Sequence, residues 1–162
     1  MNGPVNIAGY AEIGITTNFS FLRGGSDPRA YVHQASELGI PAIGIADHNT
    51  LAGVVRAWNE LDNPEVTHKP KLLIGTRLVF IGGTPDILVY PRDRAAYGRL
   101  CQLLTRGKRG DDITRIEKGE CHLKFDDLLE FAEGQLLVLA LPHRFDAASA
   151  QEILQRLKSS RA

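Results

Sequence analysis

The segment from Ile40 to Ala46 constrains the fold of this 162-residue chain more than any other. It is almost entirely apolar, which is typical of a parallel strand covered on both faces. Asp47 and His48 follow it directly, and Asn49 or Thr50 is predicted to cap the next helix. Because the loops after parallel strands gather at one end of a sheet or barrel, functional side chains are expected at this corner. The alternative is that Asp47 caps the helix and His48 is an ordinary polar residue at a strand end.

Strand and helix patterns alternate along the rest of the chain. Short apolar runs predict strands, and apolar stripes at helical spacing, bounded by Asp, Pro or Gly, predict helices. The order βα-βα-β-β-α-α-βα predicts an α/β fold with a mostly parallel sheet and flanking helices, either an open sheet or part of a barrel. The predicted strands are 10–17, 40–46, 71–81, 86–90 and 136–141, and the predicted helices are 28–38, 51–61, 93–107, 125–131 and 146–158.

Composition is that of an ordinary globular chain, with 43% hydrophobic and 23% charged residues. Residues 1–9 are predicted to be a loose lead-in to one domain that covers 10–162. Basic and acidic residues are balanced at 19 each, so no net field attracts nucleic acid or a membrane. The mixed charges between Arg106 and Glu120 include no aromatic residue, which favours a solvated loop over a nucleic-acid patch.

The compartment is predicted from two further observations. Cys101 and Cys121 lack Cys-x-x-Cys spacing, and one lies in a helical pattern and the other in a polar loop, so no disulfide scaffold is indicated. No apolar run approaches the ~18–20 residues needed to span a bilayer, and the first residues do not resemble a signal peptide. A cytoplasmic location is therefore predicted.

Several collinear stretches resemble one protein family. They are Tyr10–Gly24, Ile45–Gly53, Tyr90–Thr105 and Lys118–Leu123, and the resemblance extends from about Tyr10 to Pro142. The family is the PHP domain (polymerase and histidinol phosphatase), in the version found at the N-terminus of bacterial C-family DNA polymerase alpha subunits, particularly the error-prone branch. The resemblance implies a seven-stranded (β/α) barrel, so a chain with five predicted strands is expected to form an incomplete, partial PHP-type barrel.

The resemblance also implies a trinuclear metal centre at the carboxyl ends of the strands. Most of the corresponding positions in this chain carry side chains that are unsuited to a cation. The family's ligand positions fall here on Gly14, Thr16, Arg23, Arg77 and Asp86, with His48 retained beside Asp47 and His143 just beyond the fifth strand. The last Asp-x-His pair of the family would follow residue 162.

A divalent hydrolytic metal needs three or more nitrogen or oxygen donors at ~2.0–2.2 Å. A guanidinium ~4 Å from a doubly charged ion costs about 8 kcal/mol at an effective dielectric constant near 20. We therefore predict a vestigial pocket with no catalytic residue and no cofactor. Arg23 and Arg77 are predicted to replace the cations in ion pairs with Asp47, Asp86 or Glu12. The alternative is that both arginines extend to the rim.

The resemblance implies that the chain is a PHP module, or a fragment of one, of an error-prone DNA polymerase that acts in DNA replication and translesion repair. The module itself is expected to be noncatalytic, because the polymerase palm lies elsewhere in that family. An alternative is a metal-dependent phosphoesterase that uses Zn, Mn or Mg. Its candidate residues are Asp47, His48, Asp86, His122 and His143.

A third hypothesis is a module that docks on partners. The expected partners are the rest of a polymerase chain or other repair proteins, and no membrane or strong nucleic-acid interaction is expected. An incomplete barrel would also leave an open sheet edge through which the chain could self-associate. The candidate docking faces are those around Tyr97, Leu100 and Leu104, and around Ile153, Leu154 and Leu157.

Overall fold

The computed structural model describes residues 9–110 and 116–160, so most of the predicted lead-in lies outside the described residues. The described chain divides into two compact units, Met1–Thr76 and Arg77–Ala162. The strand order in the sheet is β1-β2-β3-β4-β5. The elements are β1 (Ala11–Ile15), α1 (Pro28–Leu38), β2 (Ala42–His48), α2 (Ala52–Glu60), β3 (Lys71–Leu78), β4 (Ile87–Pro91), α3 (Arg94–Arg109), α4 (Phe125–Glu130), β5 (Gln135–Leu139) and α5 (Ala147–Ser159).

The first unit contains the predicted parallel pair. β1 lies parallel to β2, with Ala11 opposite Ala42, and α1 connects the two strands. The ends of α1 are set by local signals: the Asp27 side chain accepts a hydrogen bond from the amide of Arg29, and Gly39 ends the helix with φ +67°. The core of this unit is formed by Ile15, Val32, Ala35, Ile43, Ile45, Val54, Ala57 and Val66.

The start and the buried face of α2 differ from the prediction. Leu51, rather than Asn49 or Thr50, is the N-cap residue, and it forms no side-chain cap. The helical pattern of the sequence puts Leu51, Val54, Val55 and Trp58 on one side of this helix, yet the exposed fractions of Val55 and Trp58 are 62% and 57%. The buried residues of α2 are Gly53, Val54 and Ala57. Each exposed residue follows a buried one by a single position, a rotation of about 100° around the helix axis.

The second unit departs from the predicted parallel arrangement at its strand pair. β4 and β5 are antiparallel, in a register that runs from Ile87 opposite Leu139 to Pro91 opposite Gln135. The connection between them contains two helices, α3 and α4. Because Pro91 at the end of β4 lies opposite Gln135 at the start of β5, the chain re-enters the sheet at the end where β4 left it, whereas the crossover between parallel strands carries the chain to the opposite end.

Gly107 was predicted to end α3, but the helix continues to Arg109 and is capped by Gly110. Gly107 is buried inside the helix instead. A Cβ atom there would lie 2.7 Å from Cys121 Sγ and 2.6 Å from the Leu123 side chain. The glycine therefore allows the chain around Cys121 to approach α3 closely, and Arg106, Lys108 and Arg109 belong to the helix rather than to the predicted loop.

The helix faces considered for docking are used largely for packing within the second unit. Leu100 is fully buried, and Leu104 and Leu157 are each 5% exposed. Tyr97 and Leu154 remain partly exposed, at 39% and 45%. No helix in the described part of the chain is long and apolar enough to cross a membrane.

Candidate functional site

The carboxyl end of β2 carries the acid and the imidazole that the sequence singles out. Asp47 is completely buried and His48 is half-buried, and they are the last two residues of β2. Asn49 follows with φ +51°, a left-handed conformation that asparagine tolerates better than most residues. This backbone turn lets the chain leave the strand and enter α2.

The carboxylate of Asp47 accepts hydrogen bonds from three neutral donors in the segment after β1. Oδ1 accepts hydrogen bonds from the backbone amide of Thr17 at 2.7 Å and from Ser20 Oγ at 2.6 Å. Oδ2 accepts one from Thr17 Oγ1 at 2.8 Å. Since buried polar groups are costly unless they are paired, this set of bonds is what allows a carboxylate to occupy a fully buried position.

The same residues connect the backbone on both sides of the carboxylate. Ser20 Oγ accepts a hydrogen bond from the amide of His48 at 2.9 Å, so one hydroxyl serves both the side chain of Asp47 and the backbone that follows it. Thr76 Oγ1 donates to the carbonyl oxygen of Asp47 at 2.7 Å. Asp47 thus joins three segments that are distant in sequence, and we call Thr17, Ser20, Asp47 and Gly53 the Asp47 network.

Gly53 belongs to this network because of its size. A Cβ atom at position 53 would lie 2.5 Å from Asp47 Oδ2 and 3.0 Å from Thr17 Oγ1. Both distances are too short for a carbon atom in contact with oxygen, so only glycine allows α2 to start this close to the carboxylate. The alternative interpretation of Asp47 as the cap of α2 is therefore wrong, because its oxygens face the β1 segment.

Thr17, Ser20 and Gly53 were not identified as site residues from the sequence. A signal was present, since both are small hydroxyl residues, Thr17 at the end of a predicted strand and Ser20 shortly after it. In a parallel pair such residues end at the same edge as the acid that follows the neighbouring strand. The spacing of 27 and 30 residues to Asp47 could not be converted into a contact without the register of β1 against β2.

Three of the positions that were predicted to be former metal-ligand positions lie in the first unit near the end of β1. Gly14 donates its amide to Glu12 Oε1 at 3.1 Å, and the carbonyl oxygen of Thr16 accepts a hydrogen bond from the Tyr31 hydroxyl at 3.2 Å. Arg23 is exposed in the loop that follows. Its predicted ion pair with Asp47 is not formed, because that carboxylate is already occupied by the hydroxyl and amide donors.

The other candidate positions lie in the second unit. Arg77 Nη1 is 3.6 Å from Asp86 Oδ2, the distance of an ion pair, and both side chains are about one-third exposed. Arg77 Nε is buried and has no hydrogen-bond partner among the residues that the structure describes. His143 is exposed after β5, and His122 Nε2 lies 2.9 Å from Glu120 Oε2. Asp86, His122 and His143 therefore each stand in different local surroundings.

The side chains present do not fit a hydrolytic metal centre. Within residues 9–110 and 116–160, no group of three or more His, Cys, Asp or Glu side chains is placed to hold an ion. Asp47 uses both carboxylate oxygens for internal hydrogen bonds, and Gly14 and Thr16 supply no imidazole. The hydrogen bonds of Asp47 are suited to holding backbone segments together.

The sequence profile of the PHP domain matches residues 14–158. The chain belongs to the PHP domain family. Among solved structures, this PHP domain is similar to an amidohydrolase from Chromobacterium violaceum, with a TM-score of 0.62 and 13% identity over 93% of this chain and 74% of that one. At that identity the likeness concerns the fold alone, and it supports the PHP-type α/β fold that the sequence predicted.

Two curated relatives extend the comparison. The chain is 80% identical over 158 residues to an error-prone DNA polymerase from Bradyrhizobium diazoefficiens, a match that covers 98% of this chain and 14% of that protein. It is 69% identical over 153 residues to an error-prone DNA polymerase from Bradyrhizobium sp. strain ORS 278, covering 94% of this chain and 13% of that protein. The PHP domain thus spans about one-seventh of the length of these relatives.

Proposed function

We propose that this chain serves as the PHP module of an error-prone DNA polymerase, and that the module is a noncatalytic scaffold. The observation that carries the proposal is the 80% identity to such a polymerase across 98% of the chain. The polymerase would act in translesion synthesis and DNA repair in the cytoplasm, with the remainder of the polypeptide as the module's first partner.

The chemistry of the described residues supports a scaffold role. Nucleotidyl transfer requires carboxylates that hold two metal ions, together with basic residues that grip phosphate groups. The buried acid of this PHP domain, Asp47, instead accepts three hydrogen bonds that tie β2 to the segment after β1. Arg77, at a former ligand position, faces Asp86 and brings a positive charge where a cation would have to bind.

A segment replacement tests the proposal. The matching 14% of the Bradyrhizobium diazoefficiens polymerase is replaced by this chain, and primer extension past a template lesion is measured. We expect the chimera to retain extension within about threefold of the parent. A control chimera that carries Asp47→Ala should lose protein stability and, with it, activity. A folded chimera without the control substitution that fails to extend primers would contradict the proposal.

Metal analysis tests the noncatalytic part of the proposal. The 162-residue chain is loaded separately with Zn²⁺, Mn²⁺ and Mg²⁺, dialysed, and analysed for bound metal and for hydrolysis of p-nitrophenyl phosphate. We expect much less than one ion per chain and no hydrolysis above that of buffer with the same ion. Near-stoichiometric metal and hydrolysis, both lost in His48→Ala, would establish the phosphoesterase alternative instead.

A further inference from the structure

The loop between β1 and α1 displays the two most exposed large apolar side chains in the described part of the chain. Phe21 is 84% exposed and Leu22 is 88% exposed. Phe19, two residues earlier, is covered by the guanidinium of Arg56, which lies 5.1 Å from its ring centroid. The exposure is therefore confined to the tip of the loop, and we call Phe21, Leu22 and Arg23 the tip triplet.

The loop that carries the tip triplet is fixed at several points. The amide of Ser20 donates to the carbonyl of Thr17 at 2.9 Å, and that of Arg23 donates to the carbonyl of Ser20 at 2.9 Å. The amide of Asn18 donates to the carbonyl of Ser26 at 2.9 Å, which closes the base of the loop. Ser20 is also fixed through its hydroxyl to Asp47. A loop held in this way presents its side chains without a large ordering cost on binding.

Two backbone features show that the loop's shape is imposed on its sequence. Leu22 has φ +61°, a left-handed conformation that is strained for a residue with a Cβ atom. Gly24 lies against the end of β1, where a Cβ atom would be 2.3 Å from the carbonyl oxygen of Thr17. Glycine is thus used where the backbone needs it, whereas a strained and solvent-exposed leucine is present at position 22. Retained strain of this kind is typical of functional positions.

The third member of the triplet supplies a charge. The side chain of Arg23 is exposed and forms no ion pair with any described carboxylate, unlike Arg29 and Arg56, which both bind Asp27 at 2.8 Å and 3.0 Å. The guanidinium beside Phe21 and Leu22 is therefore available for an acidic group. An apolar anchor with an adjacent arginine is the combination that dominates protein interfaces.

A polypeptide fits these features better than a nucleic acid. Proteins that bind single strands combine aromatic stacking with a groove of several positive charges. Residues 18–26 contain one basic residue, Arg23, and the chain has no net charge. We infer that the tip triplet docks into an apolar pocket with a carboxylate at its rim, on the part of the polymerase polypeptide outside this PHP domain. The inference rests on the proposed function, in which about six-sevenths of the polymerase lies outside the module.

Photocrosslinking in the segment-replacement chimera tests the inference. Phe21 is replaced by p-benzoylphenylalanine, and crosslinked peptides are identified by mass spectrometry after irradiation. The matched control carries the same photoreactive residue in place of Leu38, a 55% exposed apolar residue on α1. We expect position 21 to crosslink within the same polypeptide, to a peptide outside the PHP domain that contains apolar and acidic residues. Position 38 should give at least tenfold less of that product.

The outcomes separate the inference from the proposed function. Primer extension by the chimera without an intramolecular crosslink from position 21 overturns the docking and leaves the proposed function standing. Crosslinks from that position mainly to the DNA, or mainly to a second copy of the chain, also overturn it. Loss of primer extension in the folded chimera that retains Phe21 overturns the proposed function and the docking together.

Reversing the charge at position 23 gives a second test of the docking. Arg23→Glu, with Phe21 intact, should leave the melting temperature of the 162-residue chain within about 2 °C, since the side chain is exposed and unpaired among the described residues. In the chimera that carries p-benzoylphenylalanine at position 21, Arg23→Glu should reduce the yield of the crosslink at least fivefold. An unchanged yield would show that the docking does not use a carboxylate, and the inference as stated would fail.

Discussion

Replacing Asp47 with alanine should be one of the most damaging single changes in the first unit. The substitution removes the acceptor of three buried hydrogen bonds, from the amide of Thr17 and the hydroxyls of Thr17 and Ser20. Leaving a buried donor unsatisfied costs about 1–3 kcal/mol. The two hydroxyls can rotate toward other acceptors, whereas the amide is fixed by the backbone. We therefore expect a total loss of about 4 kcal/mol, a large share of the roughly 5–15 kcal/mol that stabilises a domain.

The chain offers two controls for this measurement. Asp47→Asn keeps one carbonyl oxygen for the Thr17 amide and Ser20, and its NH₂ group can donate to Thr17 Oγ1, so we expect a loss of about 1–2 kcal/mol. Asp62→Ala removes an exposed acid that lies 3.4 Å from Lys69 Nζ, and we expect a change within about 0.5 kcal/mol. Urea unfolding followed by circular dichroism gives the three values, provided that the m-values agree. A loss below about 1 kcal/mol for Asp47→Ala, or equal losses for alanine and asparagine, would refute the reasoning.

Four other substitutions have distinct expected effects in the same unfolding assay. Gly53→Ala should destabilise the chain by more than about 2 kcal/mol because its Cβ would meet a buried carboxylate oxygen at 2.5 Å. The control Gly98→Ala, in the interior of α3 with open space around it, should stabilise the chain by about 1 kcal/mol. Similar effects of the two substitutions would contradict close packing at Gly53. Leu22→Gly should stabilise by about 0.5–1 kcal/mol because it relieves a left-handed conformation at an exposed site, and a loss would contradict the strain. The hydrogen bond from His33 lowers the pKa of Glu60 below its ordinary value of 4.5, so its contribution to stability is present above that pH and is lost as the pH falls through the lowered folded pKa. Glu60→Gln should flatten this acid limb of the pH profile, and an unchanged limb would contradict the assignment.

Features that depend on a few neighbouring residues were predicted well. Ser26 or Asp27 before Pro28 predicted the start of α1 and Gly39 its end, and the structure has Asp27 as the N-cap and Gly39 as the C-cap. A carboxylate cap, a proline in the first turn and a left-handed glycine each act within one helical turn. Asp93 likewise caps α3 by accepting a hydrogen bond from Ala96 N at 2.7 Å. The apolar run that predicted β2 needs only burial on both faces, and its core residues are almost fully buried.

Features that depend on distant partners were not predicted. The three donors to Asp47 come from residues 27 and 30 positions earlier, and a local interpretation of an acid before a helix favoured a cap. Gly107 was interpreted as a helix stop because glycine often has that role, while its actual requirement is the closeness of Cys121. In both cases one residue type serves two physical purposes, and only the tertiary contact distinguishes them.

The sequence predicted the position of the candidate site but not the type of group that pairs with its buried carboxylate. The sequence identified Asp47 and His48 at the end of β2, and the structure places them there. It predicted that Arg23 and Arg77 would form ion pairs in place of the cations. Arg77 does lie at ion-pair distance from Asp86, whereas Arg23 is exposed and Asp47 relies on uncharged donors. A buried carboxylate can be satisfied by either kind of partner, and the choice depends on which donors the register of β1 against β2 brings within reach.

The Asp47 network also limits how this protein family can diverge. Thr17, Ser20, Asp47 and Gly53 meet within one hydrogen-bonded cluster, so a substitution at one position changes what the other three can tolerate. A small apolar residue at position 47 would favour the loss of both hydroxyls and would remove the closest contact of a methyl group at position 53. We expect lineages to exchange these four residues as a set, with the single-step intermediates less fit than either end state.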